Sequence, residues 1–146
     1  MKNIIVLTGI LMSSCSDTTC QSDNLFCSSP ETWQNTIHSV DDQRLFSMYV
    51  INYRNIRPPS SVFAYELGRR GEPSVISLIN HLENNSEDRD FLFYSPIIYA
   101  VSENGFNFCR SNYRIELVRI LSHSRRVGDD LTESQKLARL CSEIGR

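Results

Sequence analysis

The chain has 146 residues, of which 15 are lysine or arginine and 17 are aspartate or glutamate, so its formal net charge is -2 at pH 7. Such a chain lacks the excess of positive charge that is typical of nucleic-acid binding, and we predict no nucleic-acid partner. Hydrophobic residues make up 40% of the sequence, which is enough for one folded domain with its own core.

The first fifteen residues have the pattern of an export signal. Residues 1–3 (MKN) are a short polar start with one cation, and residues 4–12 (IIVLTGILM) are mostly apolar. Two small residues, Ser13 and Ser14, then precede Cys15. A membrane span needs about 20 apolar residues, so this run is too short to cross a bilayer. The pattern predicts a secretory signal.

The motif at residues 12–15 (MSSC) resembles the lipobox of bacterial lipoproteins, with Met12 where the family prefers leucine. The resemblance implies that residues 1–14 are removed and that Cys15 receives a diacylglyceryl group and an acyl chain on its new amine. Ser16, in place of an aspartate, implies sorting to the outer membrane in preference to the inner membrane, which stays the alternative, with the protein on the periplasmic face. The alternative is an ordinary secretory signal followed by an unrelated cysteine.

Residues 15–29 (CSDTTCQSDNLFCSS) are predicted to be a lipidated tether, because they are polar and rich in serine, threonine and aspartate. A flexible chain of that length spans on the order of 20 Å. The tether would therefore hold the folded part of the protein just clear of the lipid head groups.

From residue 30 onward, apolar residues recur at helical spacing, and we predict an all-α domain over residues 30–146. Pro30 favours a first helix there, and Ser39 with Asp42 resembles a capping box for the second. Pro58 should end that second helix. The predicted core positions of the second helix are Leu45, Phe46, Tyr49, Val50 and Tyr53.

Three helices are predicted in the middle of the chain. One covers residues 61–69 and stops at Gly71, and Pro73 opens the next. Ser86 is predicted to cap the third, which Pro96 should kink. Their predicted core positions are Phe63, Leu67, Val75, Ile76, Leu78, Ile79, Leu82, Phe91, Tyr94, Ile98 and Val101.

Two further helices complete the domain. Ser111 is predicted to cap the first, and Thr132 with Gln135 forms a capping box for the second. No stretch shows sustained alternation of apolar and polar residues, so strands are not predicted. The predicted core positions are Ile115, Val118, Leu121, Leu137, Leu140, Cys141 and Ile144.

Residues 63–82 (FAYELGRRGEPSVISLINHL) resemble a HEAT repeat, in which two antiparallel helices pack as a pair. Residues 51–85 are also similar to small exported HEAT-like bacterial lipoproteins of no assigned activity, which share a run similar to residues 56–60 (IRPPS). The resemblance implies a compact bundle of antiparallel helix pairs. A free-standing solenoid needs at least about three repeats, and this chain has room for fewer.

The cysteines support export. If Cys15 carries lipid, four remain, and four cysteines allow three pairings. We favour a local Cys20–Cys27 bridge and a Cys109–Cys141 bridge that would pin the last helix to an upstream turn. The alternative is that the last two are simply small buried apolar residues.

No motif in the sequence predicts catalysis, a cofactor or a metal. The chain has no G-x-S-x-G elbow and no Cys-x-x-Cys pair, and its three histidines lack ligand spacing. His81 lies beside an apolar stripe and is predicted to be a packing residue. Glu66 and Glu72 could be cited as an acid–base pair, but spacing across a turn is weak support for one. We therefore predict a protein that is not an enzyme.

The best candidate for a partner-binding site is a cluster of tyrosine and arginine near residues 58–59 (PP). Its members are Tyr53, Arg54, Arg57 and Tyr65, and both residue types dominate the hot spots of protein interfaces. The alternative is that the tyrosines cover the core and that Arg54 pairs with a nearby acid.

These observations lead to one favoured function and two alternatives. The favoured function is a lipid-anchored, non-catalytic adaptor that binds another envelope protein or a peptide, since HEAT-like helix pairs form concave surfaces. The second is a periplasmic immunity or inhibitor protein that neutralises a toxin or hydrolase, which an acidic surface would favour. An enzyme ranks last.

Overall fold

The computed structural model describes residues 35–56, 59–122, 124 and 129–145. The predicted signal and tether, and with them Cys15, Cys20 and Cys27, lie outside the described residues. Arg57 lies outside them as well.

The described residues fold as helices within one compact unit, Gln34–Arg146. The α-helices are α1 (Asp42–Asn55), α2 (Ser61–Arg70), α3 (Glu72–Asn84), α4 (Phe91–Glu103), α5 (Asn112–Leu121) and α6 (Glu133–Ile144), with short 3₁₀ helices at Ser86–Asp88 and Phe108–Arg110. No strand occurs among the residues described, so the all-α prediction is confirmed. The HEAT-like pairing stays a prediction.

Two helices begin at a different residue from the one we predicted. Asp41, not Ser39, caps α1, and its carboxylate accepts a hydrogen bond from a first-turn backbone N–H at 2.8 Å. Asp90, not Ser86, caps α4 in the same way at 2.9 Å. Each aspartate directly precedes its helix in extended geometry, which lets the side chain reach the unpaired amides of the first turn.

The last helix begins as the sequence predicts. Thr132 and Gln135 form the capping box of α6, with the Gln135 side chain accepting from the Thr132 amide at 2.8 Å. Ser111 does occupy the N-cap position of α5, but its hydroxyl donates to the carbonyl of Phe108 at 2.7 Å and does not cap the helix.

Helix α4 is central to the core. It packs against α2, α3 and α6, and the side chains of Phe93, Tyr94, Ile97 and Ile98 are completely buried. Pro96 lies inside this helix without ending it, and α4 continues to Glu103.

Two residues that we placed in the core are on the surface. Ile76 is 41% exposed and Ile115 is 71% exposed. Both lie on helices whose inward stripe is formed by other apolar residues, Leu78 in α3 and Leu117 in α5 among them. A helix with more apolar residues than one stripe can hold leaves some of them in solvent.

Helices α2 and α4 approach each other so closely that only glycine fits between them. A Cβ atom at Gly68 would lie 2.4 Å from Cβ of Ala100 and 2.6 Å from its carbonyl carbon. No other pair of described helices packs as extensively. Glycine inside a helix costs about 1 kcal/mol relative to alanine, and the packing gained at this crossing offsets that cost.

Helix α6 is attached to the rest of the bundle at both ends. A disulfide joins Cys141 to Cys109, as we favoured, with their Cα atoms 5.4 Å apart. Near its start, the Tyr94 hydroxyl donates to the carbonyl of Glu133 at 2.9 Å, and burial followed by the Glu133 charge raises the pKa of Tyr94. Since the bridged cysteines are 32 residues apart, the disulfide stabilises the fold by about 3–4 kcal/mol in the chain-entropy model.

The α2–α4 crossing makes a direct prediction for Gly68→Ala. Alanine normally stabilises a helix, but here its methyl group would overlap Ala100, so we expect the free energy of unfolding to fall by about 1–3 kcal/mol. Urea denaturation followed by circular dichroism measures this change. Ser47→Ala, at an exposed position of α1, is the control and should change stability by less than about 0.5 kcal/mol. An alanine variant at position 68 as stable as the parent would contradict the packing.

Candidate functional site

A groove runs along the contact between α2 and α4. It has two parts, with cavity volumes of about 240 and 420 Å³, and both parts are lined by Ser61, Ala64 and Pro96. Because the two parts share these residues, we name them together the α2–α4 groove. Its other main lining residues are Tyr53, Pro59, Tyr65, Phe91, Leu92, Tyr99, Glu103 and Leu140.

Large apolar side chains stand exposed along this groove. Tyr65 is 57% exposed, Leu92 is 60% exposed and Tyr99 is 50% exposed. Between them lie small residues, including Ser61 and Ala64, which leave room for the side chains of a partner. Single exposed apolar residues are common on any surface, whereas several of them around one groove make that groove a candidate binding surface.

The structure brings two of the predicted partner-binding residues into this one groove. Tyr53 lines one part and is only 8% exposed, with its ring packed edge-on against Phe93 at 4.9 Å. Tyr65 lines the other part. Arg57 lies outside the described residues, so its role stays a prediction.

Arg54 has a different position from the tyrosines and binds acids within the chain. Its guanidinium lies 2.5 Å from a carboxylate oxygen of Asp88 and 3.3 Å from Glu87. The hydrogen bond to Asp88 raises the pKa of Arg54 above its ordinary value. The structure therefore confirms the alternative that we left open for Arg54, which was pairing with a nearby acid.

Asp88 is a buried carboxylate that the sequence did not reveal. It is 4% exposed, and besides Arg54 it contacts Nε2 of His81 at 2.7 Å. The His81 ring in turn stacks on Phe93 with 5.3 Å between centroids, so this histidine is a packing residue, as expected. The cluster ties α1 to α3 and to the turn before α4, which carries Leu92 into the groove.

Glu66 and Glu72 take separate partners in the structure. Glu66 is buried and lies 2.8 Å from His38 and 3.6 Å from Arg70. Glu72 accepts a hydrogen bond from the Tyr113 hydroxyl at 2.7 Å. Each carboxylate is thus held by a neighbouring side chain of its own.

Sequence reasoning missed the α4 side of the groove. Leu92, Pro96 and Tyr99 follow each other at spacings of four and three, which places them on one helix face, opposite a second apolar stripe that fills the core. Two apolar stripes on one helix are the signal that could have identified this face. Because Pro96 has no N–H, the carbonyl of Leu92 also lacks its usual helical donor.

Two further features bear on the kind of site that is present. Within residues 35–56, 59–122, 124 and 129–145, no group of three or more histidine, cysteine, aspartate or glutamate side chains is arranged to hold a metal ion. In the same ranges, no helix combines the length and apolarity that a membrane span requires.

The Asp88 cluster makes a prediction with a matched control. Asp88→Asn removes the charge that Arg54 and His81 share, so we expect the free energy of unfolding to fall by about 1–3 kcal/mol. Glu87→Gln, which alters the exposed neighbour bound by the same guanidinium, should cost less than about 0.5 kcal/mol. Urea denaturation of both variants measures the difference, and equal effects would show that burial of Asp88 contributes nothing.

Comparison with protein-family models, with curated proteins and with solved structures finds no match for this chain. Function is therefore inferred from the motif at residues 12–15 and from the geometry and charge of the α2–α4 groove.

Proposed function

We propose that this protein is a lipid-anchored adaptor of the bacterial cell envelope, which catalyses no reaction and binds a helical segment of another envelope protein. Cys15 anchors the chain in the membrane, and the tether holds the helical domain on the periplasmic side. The observation that carries the proposal is the set of exposed apolar side chains, Tyr65, Leu92 and Tyr99, that line one groove.

The size and chemistry of the groove favour an amphipathic helix as its occupant. Helix α2, which forms one side, has 10 residues and is therefore about 15 Å long, which matches three turns of a partner helix. Amphipathic helices bind such grooves through apolar residues spaced at i, i+3 or i+4, and i+7. The small side chains of Ser61 and Ala64 provide the space that these anchors would fill.

The charge of the groove narrows the choice of partner further. Glu103, at the end of α4, is the one acidic residue among the described residues that line the groove, and no basic residue lines it. Glu103 forms no ion pair with another described residue. A partner helix with a lysine or arginine at one end of its apolar stripe would complement this carboxylate.

The ion pairs elsewhere on the domain favour the adaptor over the immunity-type alternative. That alternative predicts an acidic face, but Asp42, Glu83 and Asp88 each bind an arginine of this chain. Their charge is largely compensated, and the groove itself is mostly apolar.

The lipid anchor is tested by Cys15→Ala. We expect this variant to move from the membrane fraction to the soluble periplasmic fraction, because loss of the acyl chains removes about 0.8 kcal/mol of membrane affinity for each buried CH₂. Cell fractionation followed by immunoblotting measures the distribution. Cys20→Ala, a nearby cysteine outside the motif, is the control and should stay with the membrane. Retention of both variants in the membrane would refute the anchor.

The groove is tested with a labelled synthetic helix of about 14 residues that carries leucines at i, i+3, i+4 and i+7 and a lysine at one end. Combined Tyr65→Ser and Tyr99→Ser substitutions should weaken its binding about tenfold or more in fluorescence anisotropy, because they remove exposed apolar walls. Ile76→Ser, at an exposed apolar residue of α3 outside the groove, should leave the affinity unchanged.

A charge reversal in the peptide distinguishes specific binding in this groove from nonspecific hydrophobic binding. Replacing the lysine of the peptide by glutamate should weaken binding to the parent protein, and Glu103→Gln should remove that preference. Equal binding of both peptides to the parent protein, or an unchanged affinity of the double tyrosine variant, would contradict the proposal.

A further inference from the structure

A second cleft lies on the other side of α6 from the α2–α4 groove. It has a cavity volume of about 630 Å³ and is bounded by the end of α4, the turn that follows it, the start of α5 and the end of α6. The bridged cysteines Cys109 and Cys141 both line it, and we name it the disulfide cleft. Its volume falls in the range of small-molecule sites, about 300–1,000 Å³.

The charge of the disulfide cleft is entirely positive among the residues described. Arg110 and Arg114 line it, and no aspartate or glutamate does. Neither arginine forms an ion pair with a described residue, whereas Arg70 and Arg119 bind Asp42 and Glu83. Arg114 does donate to the carbonyl of Cys109 at 3.3 Å, which fixes part of its side chain beside the cleft and leaves other guanidinium N–H groups for a ligand.

The remaining lining supplies one further polar group and an apolar surface. Ser102 lines the cleft, and its hydroxyl is buried with no hydrogen-bond partner among the described residues. Phe106 and Ile144 line the same cleft and give it apolar surface next to the arginines.

We infer that the disulfide cleft binds a small anion, namely a ligand that carries a phosphate or carboxylate group on an apolar body. Guanidinium groups bind phosphate and carboxylate through paired hydrogen bonds, and two arginines that form no ion pair with a described residue offer more than one such fork. The apolar part of the ligand would lie against Phe106 and Ile144. This site is independent of the α2–α4 groove, since the two share no lining residue.

The test is a titration of the isotopically labelled full chain, purified in mild detergent, with phenyl phosphate and with benzoate. We expect amide shifts in two-dimensional nuclear magnetic resonance spectra to concentrate at residues 102–114 and 138–145. Phenol has the same apolar ring without the charge, and its affinity should be at least about tenfold lower than that of either anion. The ratio of the phosphate and carboxylate affinities identifies which anion the site prefers.

Variants separate a built site from general attraction to positive charge. Arg110→Gln combined with Arg114→Gln should weaken binding of phenyl phosphate about tenfold or more, while Arg119→Gln, on the same helix as Arg114 but outside the cleft, should not. If the double variant unfolds, Arg110→Gln alone is tested, because the side chain of Arg110 makes no hydrogen bond with a described residue. Shifts spread over the whole surface, equal loss in the Arg119 control, or no binding of either anion at about 10 mM would overturn the inference.

Discussion

The close approach of α2 and α4 at Gly68 and Ala100 is the constraint on which the rest of this structure depends. A side chain at position 68 would overlap the backbone of α4, so the two helices meet only because glycine is there. Their contact brings the inner stripe of α4 into the core. It also places the outer face of α4, with Leu92 and Tyr99, beside Tyr65 of α2. The groove is thus a consequence of the same contact that builds the core.

Internal ion pairs decide which charges are left for a partner. Asp88 binds Arg54 and His81, while Glu66 lies against His38 and two arginines, so most of the charge near the core is compensated within the chain. Among the described residues, some charged side chains that form no ion pair lie in the two clefts. One carboxylate, Glu103, stands at the end of the α2–α4 groove, and two guanidinium groups line the disulfide cleft. Uncompensated charge next to apolar surface is what gives a binding site its specificity, and both clefts have it.

Helix α6 lies between the two clefts, and both of its ends are fixed to the rest of the domain. Its start is held by the capping box and by the Tyr94 hydroxyl, and its end by the Cys109–Cys141 bridge. Leu140 faces the groove on one side of this helix and Cys141 faces the cleft on the other. The disulfide also fits a protein that works in an oxidising compartment, which agrees with the export that residues 1–15 predict.

The sequence by itself determined the local features of this protein. Helical spacing of apolar residues predicted the all-α fold, and Thr132 with Gln135 predicted the start of α6. The cysteine count left three pairings open, and the structure contains the Cys109–Cys141 bridge that we favoured among them. These features depend on residues near one another in the chain or on a small number of possible pairings. Only the tertiary structure decided that Ile76 and Ile115 face solvent and that the acid which pairs with Arg54 is Asp88.

The candidate site was predictable only in part, because its residues come from helices that meet only in the folded structure. Tyr53 and Tyr65 stood out because they flank the two prolines at residues 58–59 of the sequence, but Leu92 and Tyr99 join them only after α2 and α4 have packed. The apolar pattern of α4 is compatible with burial of either face, and the partner helices select which face is buried. The choice of buried face brings residues that are far apart in sequence into contact, and the sequence of one helix does not determine that choice.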